Sequence, residues 1–279
     1  MHNKLKQILL IAWTNCVAWI RSPRILYVIL IEAVFCFGTF YELRTALDNL
    51  KWTINPFECF LFITSKQNLL TGTLFLIFIS EIPPKGDFHC YQWIRTTRSR
   101  WVYGCVLYCC CMLLFMMLSL TIVSLVSSLG FLQWTISWTD NARIAKGIPA
   151  GMAIIPEYIR SRYSPVGSYF AFMLLTGSYW LMLALIVLAF SFIRKPQYGL
   201  SVVMALQLLP WIINTFASYE TPRWFPIYFA DINLLEYRTS GLDTFWCCTG
   251  AFILINLILT GMLRLLVYRS PMISDFVSK

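Results

Sequence analysis

Charged side chains are scarce in this chain. They make up 13% of its 279 residues, against about 25% in soluble domains. The hydrophobic share is 58%, and no polar stretch is long enough to build a separate soluble domain. A water-facing globule cannot hide that much apolar surface, so lipid is the solvent that fits. Histidine is nearly missing, with only His2 and His89. Ten cysteines are present, but no C-x2-C pair is matched by a second, which removes the usual zinc spacings. Cys36, Cys105, Cys109, Cys110, Cys111, Cys247 and Cys248 sit inside apolar runs, where a thiol serves as a small buried hydrophobe.

Signature loops are missing too. There is no G-x-x-x-x-G-K-[ST] to cradle a nucleotide phosphate, no G-x-S-x-G and no H-E-x-x-H. Enzymes that work inside a bilayer need convergent Asp, His, Ser or Glu. Here the apolar segments hold only Glu32 and Lys66 as internal charges. The expectation is a chain with no catalysis, metal or cofactor of its own, and no nucleic-acid partner.

What the sequence does have is apolar runs of spanning length, about 20 residues each. Six are expected, over about 25–41, 57–80, 101–129, 166–193, 198–216 and 244–267, forming one transmembrane domain across 1–279. The second is interrupted by the polar run Thr64-Ser65-Lys66-Gln67-Asn68. Ahead of them, residues 1–24 read as an amphipathic helix lying in the interface. Leu5, Ile8, Leu9, Ala12, Trp13, Cys16, Trp19 and Ile20 fall on one side of it, and Ser22-Pro23 ends it. The fold class is therefore all-α integral membrane, with about six transmembrane helices.

Positive charge sets the orientation. One set of connections carries Lys4, Lys6, Arg21, Arg24, Lys85, Arg95, Arg98, Arg100, Arg194, Lys195, Arg264, Arg269 and Lys279, which is 13 cations in short segments. The other carries Arg44, Lys51, Arg143, Lys146, Arg160, Arg162, Arg223 and Arg238, which is 8 cations in longer loops. The positive-inside rule places the first set, and with it both termini, in the cytoplasm. The basic balance then marks orientation and contact with anionic lipid.

Three polar features stand out. The basic stretch Glu81 to Trp101 follows Pro83-Pro84, which end the second span. It reads either as a cation-rich collar anchoring a helix end or as a docking element for a cytoplasmic partner. In the fifth span Gln207, Pro210, Trp211 and Asn214 share a face, and Pro210 should kink the helix. This cluster and Thr64–Asn68 either line a path or make interhelical hydrogen bonds. Glu32 reads as a structural carboxyl held by neighbouring hydroxyls, or as a coupling-ion site. The outer segment 217–243 reads equally as a surface loop or as one that dips back into the bilayer.

Certain stretches carry a family likeness: the helix before the first span, Asn55-Pro56-Phe57-Glu58 leading into the second, Ser80-Glu81-Ile82-Pro83 leaving it, and Ile94-Arg95-x-x-Arg98-x-Arg100-Trp101 before the third. In these the chain resembles the permease subunits of bacterial ABC transporters of the type-2 exporter class, in which the ATPase is a separate chain. The family more often has Asp where Glu81 stands. The resemblance implies a multi-pass protein of the cell membrane. It implies two partners, an ABC ATPase that uses the ATP and Mg, and a second permease, identical or related. Glu81, Pro83, Asp87, Arg95, Arg98 and Arg100 would couple to the ATPase. Ser65, Lys66, Gln67, Asn68, Gln207 and Asn214 are the candidate substrate path, for an amphipathic cargo such as a peptide, antibiotic, drug or lipid. The alternatives are an ion-coupled transporter or channel, and a non-transporting scaffold or sensor.

Overall fold

The structure is a computed structural model that describes residues 2–50, 53–66, 68–80, 96–135, 137–139, 157–193, 195–216, 225–231 and 243–269. Its elements are α1 (His2–Ile20), α2 (Arg24–Leu50), α3 (Pro56–Lys66), α4 (Asn68–Ile79), α5 (Arg98–Ser127), α6 (Glu157–Arg162), α7 (Pro165–Phe192), α8 (Pro196–Phe216), α9 (Pro226–Ala230) and α10 (Asp243–Arg269). Among the described residues there is no strand, only an isolated bridge between Ile54 and Leu132.

Five stretches are long and apolar enough to cross a membrane: Arg24–Tyr41, Arg98–Ser127, Pro165–Phe192, Pro196–Ile213 and Phe245–Tyr268. The remaining expected span, the second, is broken. Its halves, Pro56–Thr64 and Leu69–Ile79, meet at an angle of 80°, at the polar run that interrupts the sequence. The chain is thus a multi-pass membrane protein of five crossings, or six with the bent pair counted as one. Helix starts follow local chemistry. Proline opens α3, α7, α8 and α9, where its missing N–H costs nothing. The Ser164 hydroxyl caps α7 by accepting from Gly167 N at 3.1 Å. α2 runs nine residues beyond the expected 41.

α7 is the central helix. Of its spanning window 72% is buried, against 22–33% for the other four. It packs on α3, α4, α5, α8, α9 and α10. Trp101 of α5 lies against Phe192, and Thr121 of α5 bonds Tyr169, so α5 and α7 run antiparallel along their full lengths.

α1 does not lie across the base of the bundle. Gln7 accepts from Arg100, Ile11 sits on Gly104, the free thiol of Cys16 neighbours that of Cys111, and Trp19 meets Phe115 edge-on at 5.1 Å. These pairs advance together, so α1 runs parallel to α5 along roughly half its length. The expected flat interfacial helix is in fact packed lengthwise on a span. Its apolar residues serve two surfaces. Ile11, Ala12 and Trp19 are buried, while Leu5, Leu9, Leu10, Trp13 and Ile20 face outward. The seam depends on Gly104, where a Cβ would lie 2.5 Å from Ile11 Cγ2 and 2.7 Å from its Cβ. Gly104→Leu is expected to overpack the seam at a cost of about 1–3 kcal/mol. In a variant keeping only Cys16 and Cys111, copper-phenanthroline oxidation should join the two thiols. Gly104→Leu should abolish that cross-link in peptide mass spectra, and a cross-link of equal yield would refute the seam.

α9 belongs to the segment 217–243. The Thr176 hydroxyl donates to Ala230 O at 3.0 Å. Thr176 lies about 16 Å along α7 from Pro165 at 1.5 Å per residue. Ala230 and Asp231 are buried. The described part of 217–243 therefore dips into the bundle between α7 and α8.

Candidate functional site

Four polar clusters organise the interior. The first closes the end of the bundle where α3 begins. Asn55 caps α3, its Oδ1 accepting from Phe57 N at 2.9 Å, and Glu58 Oε2 accepts back from Asn55 N at 3.3 Å. This reciprocal pair is a capping box. Glu58 then reaches a distant loop. Its Oε1 accepts from Thr139 N, and its Oε2 from Thr139 Oγ1, both at 2.6 Å. Asn55 Nδ2 donates to Thr135 O, and Ile54 exchanges backbone bonds with Phe131 and Gln133 at 2.9 Å. Gly130, with φ 97°, turns the chain out of α5 so that these residues fold back. Arg160 of α6 lies within electrostatic reach of Glu58.

The second cluster is at mid-bundle. Glu32 of α2 is buried, and its Oε2 lies 2.9 Å from Ser119 Oγ of α5. Its Oε1 is buried with no hydrogen-bond partner. The hydroxyl expected beside Glu32 is therefore Ser119.

The third cluster surrounds Gln207 of α8. Its Oε1 accepts from Tyr179 OH of α7 at 3.0 Å, and a Cβ on Gly72 of α4 would lie 1.9 Å from its Nε2. Gln207 is thus sealed between three helices and holds them together. The expected shared face divides: Gln207 and Pro210 are buried, whereas Trp211 is 51% exposed. Pro210 lies inside α8, as expected, without ending it.

The fourth cluster is the basic collar at the start of α5. Arg98 donates to the carbonyls of Val267 and Tyr268, at 3.4 and 3.0 Å. These belong to the last turn of α10, the negative end of the helix dipole. Ser99 Oγ and Tyr268 OH are 2.8 Å apart, and Arg100 donates to Gln7 of α1. The start of α1 and the end of α10 therefore meet at one end of the bundle. Arg98 and Arg100 thus tie the start of α5 to α10 and α1.

Of the other expected site residues, Glu81, Pro83, Asp87, Arg95 and Gln67 lie outside the described residues. Ser65 and Lys66 close α3, Asn68 opens α4 and Asn214 lies in α8, but their side chains lie outside the description as well. Sequence reasoning missed Thr139, Ser119, Tyr179 and Gly72 as partners. The Asn-Pro-x-Glu spacing announces the cap, but nothing local announces Thr139. A scan against protein-family models gives no match, and a search of curated proteins gives none either.

Proposed function

We propose that this chain is the membrane-spanning permease subunit of an ATP-driven exporter in a bacterial cell membrane, with both termini cytoplasmic. It has no catalysis of its own. A separate ABC ATPase binds the cytoplasmic face, and a second permease, identical or related, completes the path for an amphipathic substrate. The observation that carries the reading is the collar. Arg98 and Arg100 tie the start of α5 to α1 and α10 directly after the basic segment that holds Glu81, Asp87 and Arg95. A force applied to that segment has a short, hydrogen-bonded route into three helices.

The same geometry selects the variants. Reversing Arg98 or Arg100 breaks internal contacts and would damage the bundle whatever its partner. Reversing Glu81, Asp87 and Arg95 together is the informative change. Affinity purification in mild detergent is expected to bring an ATPase chain and a second permease with the wild type. The triple reversal should lose the ATPase while keeping the permease. A wild-type chain that purifies alone, with transport indifferent to ATP depletion, would overturn the proposal.

A further inference from the structure

Packing registers on three helices fix the depth of the α1–α2 junction. On α5, Phe115 lies about 25 Å from Arg98 at 1.5 Å per residue, and it meets both Trp19 and Phe78. On α7, Trp180, which carries Phe75, lies about 18 Å from Phe192, and Phe192 packs on Trp101 beside the collar. On α2, Arg24 lies about 12 Å from Glu32, whose partner Ser119 is about 32 Å along α5 from Arg98. Phe40 against Phe131 keeps α2 parallel to α5. The three registers agree: the junction stands about 20–25 Å from the collar, roughly midway along α5.

α4 crosses the bundle at that level. Gly72 adjoins Gln207 of α8, Phe75 stacks on Trp180 of α7, and Phe78 meets Trp19 and Phe115. Its end delivers Ser80, whose Oγ accepts from Arg24 Nη1 at 3.1 Å. Ser22 Oγ accepts from Arg24 N at 3.4 Å. Arg21 and Arg24 are both exposed. Between them and the collar the outer surface is apolar: Leu9, Leu10 and Trp13 of α1 and Leu257, Met262 and Leu265 of α10 are at least 50% exposed. Beyond them Leu26, Tyr27 and Leu30 of α2 face outward as well. Two guanidiniums therefore stand inside an apolar belt. Glu81 follows Ser80 in the sequence, and with its carboxylate counted the junction still keeps a net positive charge.

A guanidinium among acyl chains draws water and headgroups inward, and its planar fork matches two oxygens of a phosphate. The serine hydroxyls add short donors beside it. We propose that Arg21 and Arg24, with Ser22 and Ser80, hold the phosphate headgroup of an anionic lipid in a notch midway along the bundle, with its chains along Leu26, Tyr27 and Leu30 of α2. The proposal stands independently of the permease assignment.

Native mass spectrometry of the full chain, released from nanodiscs of mixed phosphatidylglycerol and phosphatidylcholine, tests the site. The wild type should retain phosphatidylglycerol over phosphatidylcholine. R21Q/R24Q should lose that preference, and R21Q, which leaves the Arg24–Ser80 bond in place, should weaken it. K4Q/K6Q removes as many cations from the exposed start of α1 and should keep it. Inorganic phosphate should not displace the lipid. A preference unchanged in R21Q and R21Q/R24Q would overturn the site. An equal loss in K4Q/K6Q would reduce it to general attraction and overturn it too. Displacement by phosphate would make the ligand a soluble anion and overturn the lipid. A membrane-impermeant maleimide, mapped by peptide, reads the depth. It should modify Ile20→Cys beside the notch and spare Leu10→Cys nearer the collar. Equal modification of the two would overturn the notch.

Discussion

Glu58→Ala is expected to destabilise the protein by about 3–5 kcal/mol, the range for removing one partner from a buried charged network. The carboxylate accepts from Asn55 N, Thr139 N and Thr139 Oγ1. Its loss orphans two backbone donors, at about 1–3 kcal/mol each. The damage is also topological. Glu58 and Thr139 are 81 residues apart, and their contact fastens the start of α3 to the loop that follows α5. Glu58→Gln should cost less, because its carbonyl still accepts from Thr139 N while its amide faces donors. Cys36, Cys59, Cys105, Cys109 and Cys248 are buried, so a thiol-reactive fluorophore reports unfolding in detergent. The alanine variant should melt first, the glutamine variant between it and the wild type. An alanine variant that melts with the wild type would show that the cap is held elsewhere.

Trp180→Ala is expected to cost a similar amount, about 3–5 kcal/mol. Trp180 is fully buried on α7 and stacks on Phe75 of α4, with centroids 5.1 Å apart and planes 12° apart. Lipid tails are as apolar as the side chain, so burial from water is not the main loss. The loss is van der Waals contact and an empty volume in the bundle. α4 feels it most, since it is the detached half of a broken span. Its remaining aromatic anchor is Phe78 between Trp19 and Phe115. Trp180→Phe should be much milder. It keeps a ring against Phe75 and removes an indole N–H that is buried without a partner, so one gain offsets part of the lost area. The same unfolding assay separates them. Equal melting of the two variants would show that ring stacking does not hold α4.

The number and positions of the spanning helices were legible because each is an apolar run bounded by charge or proline, which is local information. The break in the second span was legible for the same reason, since five polar residues in a row cannot stay on one lipid-facing helix. The disposition of α1 was not. Periodicity identifies a face but not its partner, and α1 is apolar on two faces, with Ile11 and Trp19 inward and Leu9 and Trp13 outward. Gln207 was legible as a polar group in a span. Its sealing by Tyr179 and Gly72 was not, because those residues come from α7 and α4. Glu58 was legible as half of a cap, while its other half depends on a contact that no local pattern encodes.

The pairing of α1 with α5 has a consequence for how the protein is made. Gln7 and Arg100 are 93 residues apart, so at ~5–20 residues per second α1 leaves the ribosome about 5–20 s before its partner. During that interval Asn15 can hold water at the membrane surface. When α5 arrives, the amide is buried, and neither its nitrogen nor its oxygen has a partner in the finished fold. Docking therefore works against a dehydration cost of about 1–3 kcal/mol. α1 therefore waits through the synthesis of α2, α3 and α4 before its seam with α5 can close.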